Sequence, residues 1–175
     1  MGKIIGLQQL VRHRRRLRRQ GKIVVFTNGT FDIIHRGHVE YLTKAKGLGE
    51  ILIVGLNTDA SVRRIKGMNR PINAAVDRSK VLAALAPVDF VCFFGETTPH
   101  RIIAQLIPDV LVKGADWSPD TIVGRDIVEE HGGTTKTIRL TSGCSTTEVI
   151  ERVLKAYRSS RNKKSRMTSR HKNVH

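Results

Sequence analysis

At 175 residues with 39% hydrophobic side chains, the chain has the length of one domain with a sizeable core. Its formal charge of +16 raises nucleic acid or another anionic surface as a partner. The excess sits at the ends: residues 12–22 and 158–175 each hold seven Lys or Arg and no acid, and without those fourteen the chain keeps 17 basic against 15 acidic groups.

Gly6 to Gln20 reads as a helix, with Leu7, Leu10, Val11 and Leu17 on a narrow apolar stripe, arginines on the other face and Gly21 at the C-cap. Lys22 to Asn28 is the first strand, Gly37 to Leu48 the first core helix and Ile51 to Leu56 a second buried strand. Thr58 to Ile65 reads as a short helix, Asn69-Arg70-Pro71 as a loop, Asp77 to Leu85 as a helix stopped before Pro87, and Asp89 to Phe94 as the third strand. Pro99 to Leu106 is helical, and Asp109 to Val112 is the fourth strand. A helix follows within Ser118 to Glu130, then a Gly132-Gly133 turn, a fifth strand over Thr135 to Leu140 and a last helix over Ser145 to Tyr157. Residues 158–175 lack an apolar pattern and read as a disordered tail.

Short continuous apolar strands alternating with helices specify an α/β fold, a doubly wound five-stranded parallel sheet of Rossmann-like type, with ligands at the C-terminal ends of the strands. The expected division is a basic helix at 1–21, a catalytic domain at 22–157 and the tail. No window approaches 18 consecutive apolar residues and no signal-type stretch follows the N-terminal arginines, so a cytoplasmic protein without membrane contact is expected. Cys92 and Cys144 lie in unrelated settings and imply neither a disulfide nor a metal pair.

The chain is organised around F-T-N-G-T-F-D-I-I-H-R-G-H, residues 26–38, a strand end, a Gly-bearing loop and a helix start. Gly29 lets backbone approach a ligand closely, and the free N–H groups of the next helix offer an anion site. His35 and His38, three apart, can share one side and donate hydrogen bonds to charge building at a phosphorus atom. Either histidine alone reads equally as a solvated side chain on a capped loop or as a phosphate donor; strand end, Gly, His pair and helix start together favour the second.

Other polar residues follow strand ends: Thr27, Asn28, Thr30 and Asp32 after the first, Asn57 and Asp59 after the second, and Lys113, Gly114 and Asp116 after the fourth. Ser145 and Glu148 have capping-box spacing, so Ser145-Thr146-Thr147 either cap the last helix or aim hydroxyls and N–H groups at a phosphate. Lys66, Arg70 and Arg78 surround a Gly-Asn-Pro loop, where one or more could neutralise a sugar phosphate or departing pyrophosphate. Asp32 could bind a sugar hydroxyl or a metal, or cap its own loop. Trp117 either shapes the nucleotide site or packs. No Ser, Cys or Lys is visibly matched to a base, and none is needed if the substrate brings its own phosphate nucleophile.

G-T-F-D-I-I-H-R-G-H resembles the signature of the cytidylyltransferase-like nucleotidyltransferases, H-x-G-H after the first strand. The resemblance implies that His35 and His38 stabilise the transition state when a phosphate oxygen attacks the α-phosphate of a nucleoside triphosphate, with Lys44 reaching the phosphates. It places the nucleotide at Thr27 to Phe31, including Gly29, and at Lys113, Gly114 and Asp116. Ser145, Thr146 and Thr147 would hold the β- and γ-phosphates. The sugar phosphate falls to Asp32, Asn57, Asp59, Lys66, Arg70 and Arg78. Mg²⁺ is expected on the triphosphate rather than in a protein metal site, and a homodimer is implied.

Within the family, N-T-D-A-S-V-R-R-I-K-G (57–67), R-P-I-N (70–73), L-V-K-G-A-D-W (111–117), I-V-G-R-D-I-V (122–128), H-G-G (131–133) and G-C-S-T-T (143–147) are similar to the branch that makes ADP-heptose from ATP and a heptose 1-phosphate. Thr30 departs from that branch, and Gly-Thr-Phe-Asp resembles glycerol-3-phosphate cytidylyltransferases. A rival of another class is a nucleotide- or RNA-binding module using its basic ends.

Overall fold

The computed structural model describes residues 1–115, 121–139, 141 and 143–157. Asp116, Trp117, part of the helix expected over 118–130, Leu140 and the tail lie outside them. The chain divides into two compact units, Met1–Ser142 and Gly143–His175.

The first unit runs β1 (Lys3–Ile4), α1 (Leu7–Arg19), β2 (Val24–Gly29), α2 (Arg36–Lys46), β3 (Ile51–Asn57), α3 (Asp59–Lys66), α4 (Ala75–Ala84), β4 (Phe90–Phe94), α5 (His100–Leu106), β5 (Val110–Gly114), α6 (Arg125–Glu130) and β6 (Thr134–Ile138). One parallel sheet in the order β1-β4-β3-β2-β5-β6 carries the strands. It has six strands where five were expected. The extra one, β1, pairs Lys3 with Phe90 and Ile4 with Val91 at the sheet edge. Two residues are too short to carry a periodic signal. The expected N-terminal segment at 1–21 therefore belongs, through β1 and α1, to the same compact unit as the sheet.

Period-two alternation sends strand side chains to two cores. Val25, Leu52, Val54 and Val112 meet Leu42, Ala45 and Leu82 from α2 and α4. Val24, Phe26, Ile53 and Leu111 meet Leu10, Ile103 and Val128 from α1, α5 and α6. Helices on both faces make the sheet doubly wound, and both of its faces read as apolar for that reason.

The sequence reading put the arginines of α1 on the solvent face. Arg14 is the exception: it is 4% exposed. Its guanidinium donates to the carbonyls of Leu106 and Ile107 at the end of α5 and to Asp109 Oδ1 at 2.8 Å. Asp109 Oδ2 accepts the Val24 amide at 2.8 Å. This chain of bonds fastens α1 to the N-terminal rim of β2 and β5, and it supplies acceptors for a charge that would otherwise be costly to bury.

The second unit is described by a helix at 146–157, α7. Its start is a capping box: the Glu148 amide donates to Ser145 Oγ at 3.1 Å, and the Ser145 amide donates to Glu148 Oε2 at 2.8 Å.

Candidate active site

The strand order reverses between β2 and β5, and a doubly wound sheet opens its ligand crevice at such a switch. The register shows the opening. β2 pairs with β3 along its whole length, Val24 to Gly29. With β5 it pairs only at Val25 and Phe26. Beyond Phe26 and Leu111 the two C-terminal strand ends are no longer laddered.

Side chains bridge this gap. Tyr41, on α2, places its hydroxyl 2.7 Å from Thr27 Oγ1 and donates to the Val112 carbonyl at 3.2 Å. Thr27 is fully buried, and its hydroxyl is held within the fold by Tyr41. One step nearer the rim, Lys113 Nζ donates to Asn28 Oδ1. Asn28, Lys113 and Gly114 thus stand together at the switch point. Sequence reasoning did not single out Tyr41; its signal was a hydroxyl-bearing residue inside the apolar stripe of α2.

The loop from Gly29 to His35 sets the histidines. Phe31 takes a left-handed backbone, φ 42°, and its ring turns back over Gly29. A Cβ at Gly29 would lie 3.0 Å from Phe31 Cε2, so a side chain there would displace the ring. The Phe31 ring supports His38, with centroids 5.2 Å apart. His35 caps α2 in an extended conformation, and its carbonyl accepts the His38 amide at 2.9 Å. The two imidazoles stack at 3.8 Å with planes 27° apart. Burial, and secondarily the adjacent His35 ring, push the His38 imidazole down to about 4, so it is neutral at neutral pH. Its Nδ1 is buried and has no hydrogen-bond partner among the described residues. The pair presents N–H donors and one uncharged ring beside a helix N-terminus, an arrangement suited to an anion that brings its own charge.

Most of the residues expected at the sugar phosphate are engaged with one another. Asp32 is 2% exposed; it accepts Arg70 Nε at 2.6 Å and the Ile72 and Asn73 amides at 2.8 Å each, and its carbonyl accepts Asn73 Nδ2 at 2.6 Å. This carboxylate latches the 70–73 loop to the histidine loop. Arg78 is 1% exposed and donates to the carbonyls of Asn73, Thr30 and Asn57 at 2.9, 2.6 and 2.9 Å and to Asp59 Oδ1 at 2.7 Å. Burial raises the Asp59 carboxyl, but the Arg78 bond and the Ala75 amide outweigh it and hold the group below its usual range. Asn57 Nδ2 donates to Ser61 Oγ at 2.9 Å. Asp32, Asn57, Asp59, Arg70 and Arg78 form one network beneath the loops that follow β2 and β3, whereas Lys66 is exposed at the end of α3.

Lys44 is exposed in the last turn of α2. It lies six residues, about 9 Å of helix rise, beyond His38 and about 120° around the axis, so the structure does not bring it to the histidine pair. Ser145, Thr146 and Thr147 open α7 in the second unit.

A cytidylyltransferase-like family model matches residues 26–152. The chain is 54% identical over 140 residues to the bifunctional protein HldE of Syntrophotalea carbinolica, covering 80% of this chain and 29% of that protein. It is 51% identical over 155 residues to the bifunctional protein HldE of Citrifermentans bemidjiense, covering 89% of this chain and 32% of that protein. The chain therefore spans under a third of the length of these curated relatives. Among solved structures, the lipopolysaccharide core biosynthesis protein of Thermoplasma volcanium is 30% identical with a TM-score of 0.57, over 69% of this chain and 98% of that one. The pantoate-beta-alanine ligase of Francisella tularensis, 16% identical with a TM-score of 0.57 over 83% of this chain and 69% of that one, shares the fold.

Proposed function

Because the chain belongs to the cytidylyltransferase-like family and is a nucleotidyltransferase, we propose that it transfers AMP from ATP to D-glycero-β-D-manno-heptose 1-phosphate, releasing pyrophosphate and ADP-heptose for lipopolysaccharide or a related surface glycan. The observation that carries the chemistry is the stacked His35–His38 pair at the start of α2, beside the crevice between β2 and β5. The likeness to bifunctional HldE proteins and to a lipopolysaccharide core biosynthesis protein supports the substrate assignment. A phosphate oxygen of the sugar attacks the α-phosphorus in line, and the bond from that phosphorus to the bridging oxygen of the β-phosphate breaks.

His35 and His38 donate N–H bonds to the oxygens on which charge accumulates. A neutral His38 binds the triphosphate without first losing a proton, and the arriving negative charge then favours its protonated form. Asn28, Lys113 and Gly114 line the nucleotide side together with the backbone of 27–31. Ser145 to Thr147 and Asp116 complete the nucleotide contacts in this proposal, and Lys44 contributes at long range. On the acceptor side Lys66 is the exposed cation. Asp32, Arg70 and Arg78 shape the wall.

Mg²⁺ would come bound to the triphosphate and would neutralise part of its charge. Asp32 and Asp59 are engaged by Arg70, Arg78 and backbone amides, and the Mg²⁺ would be held by phosphate oxygens and water. The proposal includes a homodimer, to be measured by sedimentation velocity.

The test is pyrophosphate release with Mg²⁺, crossing ATP and CTP against heptose 1-phosphate and glycerol 3-phosphate. Release with ATP and heptose 1-phosphate alone is the expected result. Release with CTP and glycerol 3-phosphate would overturn the substrate assignment and keep the chemistry, as the Gly29-Thr30-Phe31-Asp32 run would then explain.

A further inference from the structure

The solvent face of α1 carries a row of arginines with no role in the crevice. Arg12, Arg15, Arg16 and Arg19 recur at i, i+3, i+4 and i+7, so they fall within about 100° of arc and extend along about 10.5 Å of helix. All four are exposed, as are the flanking Arg18 and Lys22. Among the described residues, no carboxylate is ion-paired with Arg12, Arg15, Arg16, Arg18 or Arg19. The helix offers no acid in its first turn, and its last turn adds only cations. Four or five like charges held this close repel one another, at a cost that a polyanion would relieve.

The stripe is rigidly presented. On the opposite side of α1, Leu10 is fully buried and Arg14 is clamped by the carbonyls of Leu106 and Ile107 and by Asp109. Leu7, Val11 and Leu17 pack against the same core. The apolar face of the helix is thus used up inside the protein. An interfacial membrane helix needs a free apolar face to insert between headgroups, and α1 has none. The four cations of the row are all arginine, whose planar fork matches phosphate oxygens in pairs. No aromatic side chain stands in the row to stack on a base, and the one ring on the helix, His13, lies 5.5 Å from Phe90. Over the length of the stripe a duplex presents about six phosphates, comparable to the number of guanidiniums.

We propose that the exposed arginine stripe of α1 is a docking surface for the phosphate backbone of duplex nucleic acid, bound without regard to sequence. The surface is separate from the transferase crevice. α1 leads into the N-terminal end of β2 at Val24, whereas the crevice opens at the C-terminal end, beyond Phe26.

The test is fluorescence anisotropy of the full chain with a labelled 20-base-pair duplex, as DNA and as RNA, from about 50 to 300 mM salt. The comparison is a variant with Arg12→Gln, Arg15→Gln, Arg16→Gln and Arg19→Gln, which keeps the basic 158–175 segment and has good helix formers at all four sites. Four lost phosphate contacts should reduce the slope of log K against log salt by about 3.6. The affinity at 100 mM salt should fall at least about tenfold, with unchanged circular dichroism and unchanged pyrophosphate release. An unchanged slope in the variant would overturn the proposal, because the tail alone would then hold the duplex. Tighter capture on vesicles containing phosphatidylserine than on either duplex would also overturn it.

Discussion

Replacing Arg78 by Met separates two roles that one buried arginine could have. Methionine has a similar length and fills the site but donates nothing. The change removes four hydrogen bonds, to the Asn73, Thr30 and Asn57 carbonyls and to Asp59. The bond to Asn57 O is fully buried, and those to Thr30 O and Asn73 O partly so. A buried acceptor left unmatched costs about 1–3 kcal/mol. Asp59, whose side chain is 31% exposed, recovers water and adds less. The desolvated guanidinium also disappears, which offsets part of the loss. The net expectation is about 4 kcal/mol, a large share of the 5–15 kcal/mol typical of a domain. Urea unfolding should show it as a lower midpoint with an unchanged slope, and a thermal scan as a fall of about 8–16 °C. A loss under about 1 kcal/mol, with a raised KM for the sugar phosphate, would refute the structural role and make Arg78 a ligand.

Tyr41→Phe orphans the buried Thr27 hydroxyl and the Val112 carbonyl and should cost about 2 kcal/mol; adding Thr27→Val should return part of it, and strictly additive losses would contradict the hydroxyl bridge. Asp32→Asn removes the charge facing Arg70 and turns one of the two oxygens that accept three donors into an NH2, so limited proteolysis within 67–73 should accelerate; cleavage at the wild-type rate would show that the latch does not hold the loop. For His38 the folded imidazole titrates near 4 against 6.5 when unfolded. The unfolded chain therefore binds a proton first as pH falls. The stability due to a neutral His38 is intact above pH 6.5 and is lost progressively toward pH 4, by up to about 3 kcal/mol. His38→Gln should lose less stability than wild type over that window, and identical pH dependence in both would refute the assignment.

The periodic parts of the molecule were legible. Continuous apolar runs became the four inner strands β2, β3, β4 and β5, and the capping box of Ser145 sits where its spacing places it. What failed was long-range. Nothing near Asp32 in the chain announces that Arg70, Ile72 and Asn73 will saturate it, and nothing near Arg78 announces Thr30 and Asn57, 48 and 21 residues away. Residue type suggested ligands; the fold turned those charges inward. Arg14 misled for the same reason, because its acceptors lie more than 90 residues on. Around Gly124 the span read as helical departs from that reading: residues 121–124 are not α-helical, and α6 begins at Arg125. Gly124 itself adopts φ +86°, and a Cβ there would lie 2.7 Å from Ile103 Cδ1, so the chain turns in against α5 before the helix begins. The histidine pair was legible because i, i+3 spacing at a helix start is local geometry.

The most direct measurement on the central claim is single-turnover pyrophosphate release by His35→Ala and His38→Ala at saturating substrates, with circular dichroism as a check on folding. Stacked imidazoles serving as donors to the reacting phosphate predict a fall of at least about a hundredfold in each variant. A folded variant that turns over within threefold of wild type would contradict the account.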